Sequence, residues 1–203
     1  TTTLHMLHTI LSGKGEVLSN TFALGNWSNN IKTLEKLSPS YNYALFEFDY
    51  ERENKFAEIL RLIKPNIGIV TNIGDAHLSY LGGVMKIALE KSEVVKYLAR
   101  NGLAILNKDD ELSSALVDYI STKNVIKYGL SHNSDYYASD IEQLGPEGTR
   151  FTLNGKYKIS IPIYSIADVY NFLAATASAD NLGFTIQEII DIFESKYTIP
   201  KGR

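Results

Sequence analysis

Carboxylate, imidazole and amide side chains stand at the ends of three predicted buried strands in this 203-residue chain. The three groups are Glu47 and Asp49 at the end of residues 43–48, Asp75 and His77 after residues 67–71, and Asn107, Asp109 and Asp110 after residues 103–106. Ligands of open α/β sheets bind at the carboxyl ends of the strands, and oxygen atoms with an imidazole suit Mg²⁺ or Mn²⁺. The sequence therefore predicts a metal-binding edge of a sheet. The alternative is that the Asp and Asn residues only cap helices and form turns.

Lys91 is predicted to lie on the apolar face of a helix over residues 84–99. It shares that face with Ile87, Val94 and Leu98 at the spacing of an amphipathic helix. A lysine in such a position usually extends its ammonium group to water. If the side chain is instead held in place, desolvation lowers its pKa. A neutral amine can then add CO₂ to give a carbamate, which is a carboxylate on a long arm that could reach a metal.

The chain contains no complete phosphate loop of the pattern G-x-x-x-x-G-K-S/T. It does open on Thr1, Thr2 and Thr3 directly before a predicted helix over residues 2–12, which is where such a loop would end. The hydroxyl that follows the loop's lysine usually contacts Mg²⁺, so Thr1 is the candidate for that contact. These threonines and the missing initiator Met predict that the chain was cut from something longer.

Composition excludes several classes of protein. Hydrophobic residues make up 44% of the chain and charged residues 21%, as in ordinary soluble globular proteins. A net charge of −3 argues against a broad basic surface for nucleic acid. The absence of cysteine excludes disulfides, thiolate metal sites and a cysteine nucleophile. No run of about 18 apolar residues predicts a membrane span, and we expect a cytoplasmic protein with neither membrane nor nucleic-acid partners.

Strands alternate with helices as far as Gly129, which is typical of βαβ units and a mainly parallel sheet. In this part we predict strands at 16–19, 43–48, 67–71, 103–106 and 124–128, helices at 2–12, 53–63, 84–99 and 110–121, and a polar loop at 20–32. After Gly129 we predict strands at 136–143, 149–153 and 156–163 and helices at 167–182 and 185–195. The predicted fold class is α/β, with a mainly parallel sheet flanked by helices and a small antiparallel subregion at about 135–164.

Seven segments, in order, resemble the central ATP-binding domain of the Mur ligases, a domain of the P-loop NTPase type. They are TTTLHMLHTIL at the start, GNWSNNI (25–31), ALFEF ending near Glu47, TNIGDAHL (71–78), IALEKSE (87–93), LNKDD (106–110), and ADVYNFLAA followed by PKGR at the end. Mur ligases join an amino acid or peptide to a cell-wall precursor at the expense of ATP. The resemblance covers residues 1–203. Within the family, the chain most resembles the branch that adds the dipeptide D-alanyl-D-alanine to a UDP-linked muramoyl peptide.

The resemblance implies a metal site. Thr1, Glu47 and His77 would bind Mg²⁺ or Mn²⁺. Lys91 would be a carbamylated lysine that bridges the metal and the γ-phosphate of ATP. Lys91 and His77 are thus the implied catalytic residues.

The resemblance also implies contacts to ATP. Asn171 would contact the adenine, and Arg203 would face the phosphates or the ribose. Thr2, Asn107 and Asp110 complete the implied nucleotide-binding set. The implied reaction of the full-length parent is formation of an acyl-phosphate, which an incoming amine converts to an amide in the cell-wall precursor.

Three departures from the family pattern stand out. Ala167-Asp168 replaces the usual His-Asn, the loop after Glu47 is longer and more charged, and the glycines and lysine of the phosphate loop are missing, as are the flanking domains. The isolated chain is therefore expected to be inactive. Two alternatives stay open: a non-catalytic nucleotide-binding or scaffold module of the same fold, and a folylpolyglutamate or polyglutamate-type ligase of the same superfamily. The Asn-rich segment 25–31 favours the cell-wall branch.

Overall fold

The computed structural model describes residues 1–20, 25–49, 56–73, 84–120 and 122–199. The helices are α1 (Thr2–Leu11), α2 (Trp27–Leu34), α3 (Phe56–Ile63), α4 (Val84–Lys96), α5 (Glu111–Ala115), α6 (Ile166–Asn181) and α7 (Ile186–Lys196). The strands are β1 (Val17–Ser19), β2 (Tyr43–Leu45), β3 (Ile67–Val70), β4 (Leu103–Asn107), β5 (Asn124–Gly129), β6 (Tyr136–Gln143), β7 (Thr149–Leu153) and β8 (Tyr157–Ile161).

The strands form two sheets in the described part of the chain. Strands β1 and β2 pair in parallel, and a six-stranded sheet has the order β3-β4-β5-β6-β7-β8. The strands from β3 to β6 each pair in parallel with the next. The pairs β6–β7 and β7–β8 are antiparallel. The predicted α/β fold with a mainly parallel sheet and late antiparallel strands is confirmed.

The prediction of a polar loop over residues 20–32 is wrong for residues 27–32, because α2 occupies Trp27–Leu34. The helix begins at Asn26, whose side chain accepts a hydrogen bond from the backbone N–H of Asn29. Its buried face carries Asn30 and Thr33 instead of apolar residues. Hydrophobic periodicity cannot detect a helix that buries polar side chains.

The strand predicted over residues 43–48 is shorter than expected and is not buried on both faces. Strand β2 ends at Leu45, and Ala44 is exposed. Beyond it, the backbone N–H groups of Glu47 and Asp49 bond to Asn20 and Gly25 instead of continuing the strand. The helix predicted over 110–121 is also shorter: α5 ends at Ala115 and a 3₁₀ turn follows over Leu116–Tyr119.

Helix α6 lies at the centre of the larger hydrophobic core. It contacts α1, α7 and strands β4, β5 and β6. Buried small residues on α6 allow these close approaches; they are Ala174, Ala175, Ala177, Ser178 and Ala179. Next to them, Phe172 packs edge-on against Phe151 and Phe193, with ring centroids 5.8 and 4.9 Å apart. This packing fixes α6 and the neighbouring Asn171 against the sheet.

Within the described ranges, no helix is long and apolar enough to cross a membrane.

The aromatic cluster yields a stability prediction. Phe172→Ala should lower the free energy of unfolding by about 3–5 kcal/mol, because it leaves a cavity between Phe151 and Phe193. Urea unfolding followed by circular dichroism measures the change. Ile166→Ala, in the same helix but 41% exposed, is the matched control and should cost under about 1 kcal/mol. Equal losses in the two variants would contradict the central position of Phe172.

Candidate active site

A cleft of about 990 Å³ opens where β2, β3, α1, α4 and α6 meet. It is lined by residues singled out from the sequence, among them Thr1, Thr2, Glu47, Lys91 and Asn171. The carboxyl ends of β2 and β3 and the amino-terminal end of α1 thus converge on one polar region. Asp49, Thr71 and Asn72 line the same region.

Glu47 is a largely buried carboxylate of the cleft, with its side chain 10% exposed. Its Oε1 atom accepts a hydrogen bond from the hydroxyl of Thr1. Its Oε2 atom is buried and has no hydrogen-bond partner among the described residues. A buried carboxylate oxygen without a partner carries a large desolvation cost, so this atom is available to a ligand of positive charge.

Lys91 lies half-buried on α4, and its Nζ atom donates a hydrogen bond to the carbonyl oxygen of Asn72 at 2.6 Å. Burial lowers the pKa of the Lys91 ammonium group, while the carboxylates of Asp110 and Asp49 act in the opposite direction. The side chain is therefore held in place by a specific contact beside two carboxylates. Carbamylation of Lys91 stays a prediction.

The short segment 71–73, which supplies the carbonyl that binds Lys91, is fixed by side chains from the neighbouring strands. Asn107 donates to the carbonyl oxygen of Thr71 at 3.0 Å, and the Tyr128 hydroxyl donates to the same oxygen at 3.3 Å. Asp110 accepts from the backbone N–H of Ile73 at 2.8 Å through one oxygen, and it caps α5 through the other. Asn107 and Asp110 thus bond to the main chain at the edge of the cleft. Their predicted contacts to a nucleotide stay predictions.

Asn171 is oriented by α1. The hydroxyl of Thr3 donates to its Oδ1 atom at 2.8 Å, which leaves the Nδ2 group as the donor for any other partner. The preceding residue, Tyr170, donates to Oδ2 of Asp109 at 2.8 Å. Burial and this bond to Asp109 raise the pKa of the Tyr170 hydroxyl. Helix α6 is therefore tied to the loop after β4 as well as to α1.

Asp168, which departs from the pattern of the resemblance, has a local structural role. Ser165 caps α6 by accepting from the backbone N–H of Asp168. The Asp168 carboxylate in turn accepts from the Ser165 hydroxyl at 2.8 Å. The aspartate thus takes part in the cap of this helix.

His77 and Arg203 lie outside the described residues, as does Asp75. In the ranges that the structure describes, no group of three or more His, Cys, Asp or Glu side chains is arranged to bind a metal ion. A metal site would therefore need other donors as well, such as the Thr1 hydroxyl.

Asn20 is a site residue that sequence reasoning missed. It directly follows β1 and bonds to both the backbone of Glu47 and the side chain of Asn30. Its place at the carboxyl end of a strand was the available signal, by the same rule that selected Glu47 and Asn107.

The chain is similar to known proteins over most of its length. The Mur ligase middle domain family matches residues 1–179. A UDP-N-acetylmuramoyl-tripeptide–D-alanyl-D-alanine ligase of Synechocystis is 31% identical over 208 residues, spanning 100% of this chain and 42% of that protein. The corresponding ligase of Escherichia coli is 31% identical over 196 residues, spanning 93% of this chain and 42% of that protein.

Solved structures give the same result. MurF from Acinetobacter baumannii superposes with a TM-score of 0.90 at 27% identity, covering 100% of this chain and 45% of that one. The chain spans less than half the length of the relatives it matches. The match over residues 1–179 shows that the chain belongs to the Mur ligase middle domain family.

Proposed function

We propose that this chain is the ATP-binding core of a ligase that forms an amide bond on a peptidoglycan precursor. The observation that carries the proposal is the convergence of Thr1, Glu47 and Lys91 on one cleft, where the Oε2 atom of Glu47 is buried and has no hydrogen-bond partner in the described part of the chain. The names of the relatives, which describe ligases of this kind, support the reaction class. As a substrate we propose a UDP-linked muramoyl peptide, and as the second substrate an amino acid or, after the same relatives, the dipeptide D-alanyl-D-alanine.

The donor set fits Mg²⁺ or Mn²⁺. A hydroxyl and a carboxylate are hard oxygen ligands, and Mg²⁺ is usually bound by one or two carboxylates together with substrate phosphates. Thr1 and Glu47 already lie in contact, and we propose His77 and a carbamylated Lys91 as the remaining protein ligands. When bound, the ion would neutralise charge on the phosphates of ATP.

The reaction that we propose has two steps. A carboxylate oxygen of the precursor attacks the γ-phosphorus of ATP, the bond to the β-γ bridging oxygen breaks, and ADP leaves. The amine of the second substrate then attacks the acyl carbon, the acyl–phosphate bond breaks, and phosphate leaves as the amide forms. The amine loses one proton in this step. The first step builds charge on phosphate oxygens, and the second builds it on the acyl oxygen and then on the leaving phosphate, so a preorganised electrostatic environment is the protein's main contribution.

Residues of this chain would position the nucleotide. We propose that Thr2, at the start of α1, donates to a phosphate, since helix amino termini bind anions. Asn171, whose Oδ1 atom is already engaged by Thr3, would present its Nδ2 group to the adenine. Arg203 would neutralise a phosphate or contact the ribose. A solved structure named as MurF ligase of Thermotoga maritima in complex with ADP has this fold, with a TM-score of 0.83 at 20% identity.

The proposed compartment is the cytoplasm, where ATP is available and where cysteine-free composition is unremarkable. A second candidate function is a non-catalytic nucleotide-binding module. The observation that favours it is the engagement of Asp168 in the cap of α6, at a position where the family has asparagine. Nucleotide binding without turnover by the full-length protein would support that candidate over the ligase.

Calorimetric titration of a non-hydrolysable ATP analogue into the full-length protein tests the metal roles. Binding should depend on Mg²⁺, and Glu47→Gln and Lys91→Gln should each weaken it about tenfold or more, since contacts to charged groups contribute roughly 1.5–3 kcal/mol. Lys96→Gln, an exposed change on the same helix, is the control and should bind like the unmodified protein. Binding that is independent of Mg²⁺, or unchanged in both variants, would refute the proposed site.

The carbamate at Lys91 has its own spectroscopic test. Protein equilibrated with ¹³C-labelled bicarbonate should show a carbamate carbon signal, because burial lowers the pKa of this amine and so favours its neutral, reactive form. The signal should be absent from Lys91→Gln and present in Lys96→Gln. A signal that survives in Lys91→Gln would assign the carbamate to another amine.

A further inference from the structure

We propose that Asn20 and Asn30 are positioning residues that fix the backbone of Glu47 and thereby aim its carboxylate into the cleft. The proposal rests on the proposed function in one respect, namely that Glu47 binds the divalent cation. It gives a role to the segment GNWSNNI, which the function proposed above leaves without one.

The two asparagines form a buried pair around a single backbone unit. Asn20 is 3% exposed and Asn30 is 0% exposed. The Oδ1 atom of Asn20 accepts from the N–H of Glu47 at 3.1 Å, and the Nδ2 group of Asn30 donates to the carbonyl oxygen of Glu47 at 2.9 Å. The pair is closed by a bond from Nδ2 of Asn20 to Oδ1 of Asn30 at 2.8 Å. Both main-chain polar groups of Glu47 are therefore satisfied by side chains.

These side-chain hydrogen bonds replace the backbone hydrogen bonds that a longer β1–β2 pair would form. Strands β1 and β2 pair in parallel only as far as Ser19 and Leu45. The next residue after β1 is Asn20, whose side-chain amide offers the acceptor and donor that a further strand residue would have offered through its backbone. The chain after Leu45 can thus leave the sheet and turn Glu47 toward Thr1 without leaving its backbone groups unpaired.

Gly25 completes the arrangement from the other side. Its N–H donates to Oδ2 of Asp49 at 3.0 Å, and its carbonyl oxygen accepts from the Asp49 N–H at 2.9 Å. A Cβ atom at this position would lie 2.8 Å from the carbonyl oxygen of Glu47 and 2.9 Å from its Cγ atom. A side chain at position 25 would displace Glu47, so glycine is required for this close approach.

The position of the Glu47 backbone matters because the side chain cannot reorient to compensate for a backbone shift. Its Oε1 atom is bound by Thr1 and its Oε2 atom is buried. A shift of its backbone would move the free oxygen away from any ion shared with Thr1. Residues that orient a metal ligand typically change metal affinity by 10–100-fold when they are substituted.

Titration of Mn²⁺ into the full-length protein with ADP present, followed by electron paramagnetic resonance, tests the proposal. Asn30→Asp removes the donor to Glu47 and places a carboxylate against two carbonyl oxygens, those of Glu47 and Gly25. It should weaken Mn²⁺ binding about tenfold or more. Ser28→Asp, with the same change in charge at an exposed neighbour in α2, should leave Mn²⁺ binding unchanged.

A double-mutant cycle separates positioning from general destabilisation. In the Glu47→Gln background, Asn30→Asp should cause no further loss of Mn²⁺ affinity, because its effect acts through the Glu47 carboxylate. Independent, additive losses would overturn the proposal, as would unchanged affinity in folded Asn30→Asp. If Glu47→Gln itself leaves Mn²⁺ binding intact, the metal role of Glu47 fails and this proposal fails with it. If only Asn30→Asp is without effect, the proposed function stands and the positioning role alone is lost.

Amide hydrogen exchange of the unmodified protein gives a test that does not depend on folding of a variant. The Glu47 N–H should be protected although it lies beyond the end of β2, because Asn20 accepts its hydrogen bond. Exchange at the rate of an unprotected amide would show that the asparagine pair does not fix this backbone.

Discussion

A buried carboxylate, one of whose oxygens has no partner among the residues that the structure describes, is the constraint around which this site is arranged. Removing a charged group from water costs several kcal/mol unless other groups compensate, and Glu47 receives only part of that compensation from the Thr1 hydroxyl. The surrounding bonds from Asn20 and Asn30 go to its backbone and not to the free oxygen. The fold thus orders the residue firmly while leaving one of its acceptor atoms for a cation.

The proposed metal ligands Glu47 and Lys91 are positioned by two different sheets, and α1 connects these sheets. Glu47 follows β2 of the two-stranded sheet, whereas segment 71–73, to which Lys91 bonds, follows β3 of the six-stranded sheet. Helix α1 contacts β1 and β2 and also packs along α6, which covers the larger sheet. Its first turn bonds to Glu47 through Thr1 and to Asn171 through Thr3. Helix α1 therefore sets the distance between Glu47, the proposed metal ligand, and Asn171, the proposed adenine contact.

Sequence reasoning recovered the features that follow from strand ends and missed those made by buried polar side chains. Strand ends and helix faces drew attention to Glu47 and Lys91, and the structure places both on the cleft. Helix α2 was missed because its buried face carries asparagine and threonine, which have the composition of a loop, and Asn20 was missed although it follows the end of β1. The early end of β2 could not be predicted either, since Ala44, Leu45 and Phe46 have the apolar character of a continuing strand. The strand ends because the backbone of Glu47 bonds to the side chain of Asn20, which is distant in sequence.

The charges near Lys91 connect the proposed carbamate to the proposed metal ion. As an ammonium group, Lys91 lies near the carboxylates of Asp49 and Asp110, which favour its charge, while burial opposes it. Conversion to a carbamate would exchange this cation for another anion beside Asp49 and Asp110, in a region where unlike charges interact more strongly than in water. Such an anion is stable only if cations enter with it. We therefore expect carbamylation of Lys91 and binding of the divalent cation to stabilise each other, since each reduces the electrostatic cost of the other.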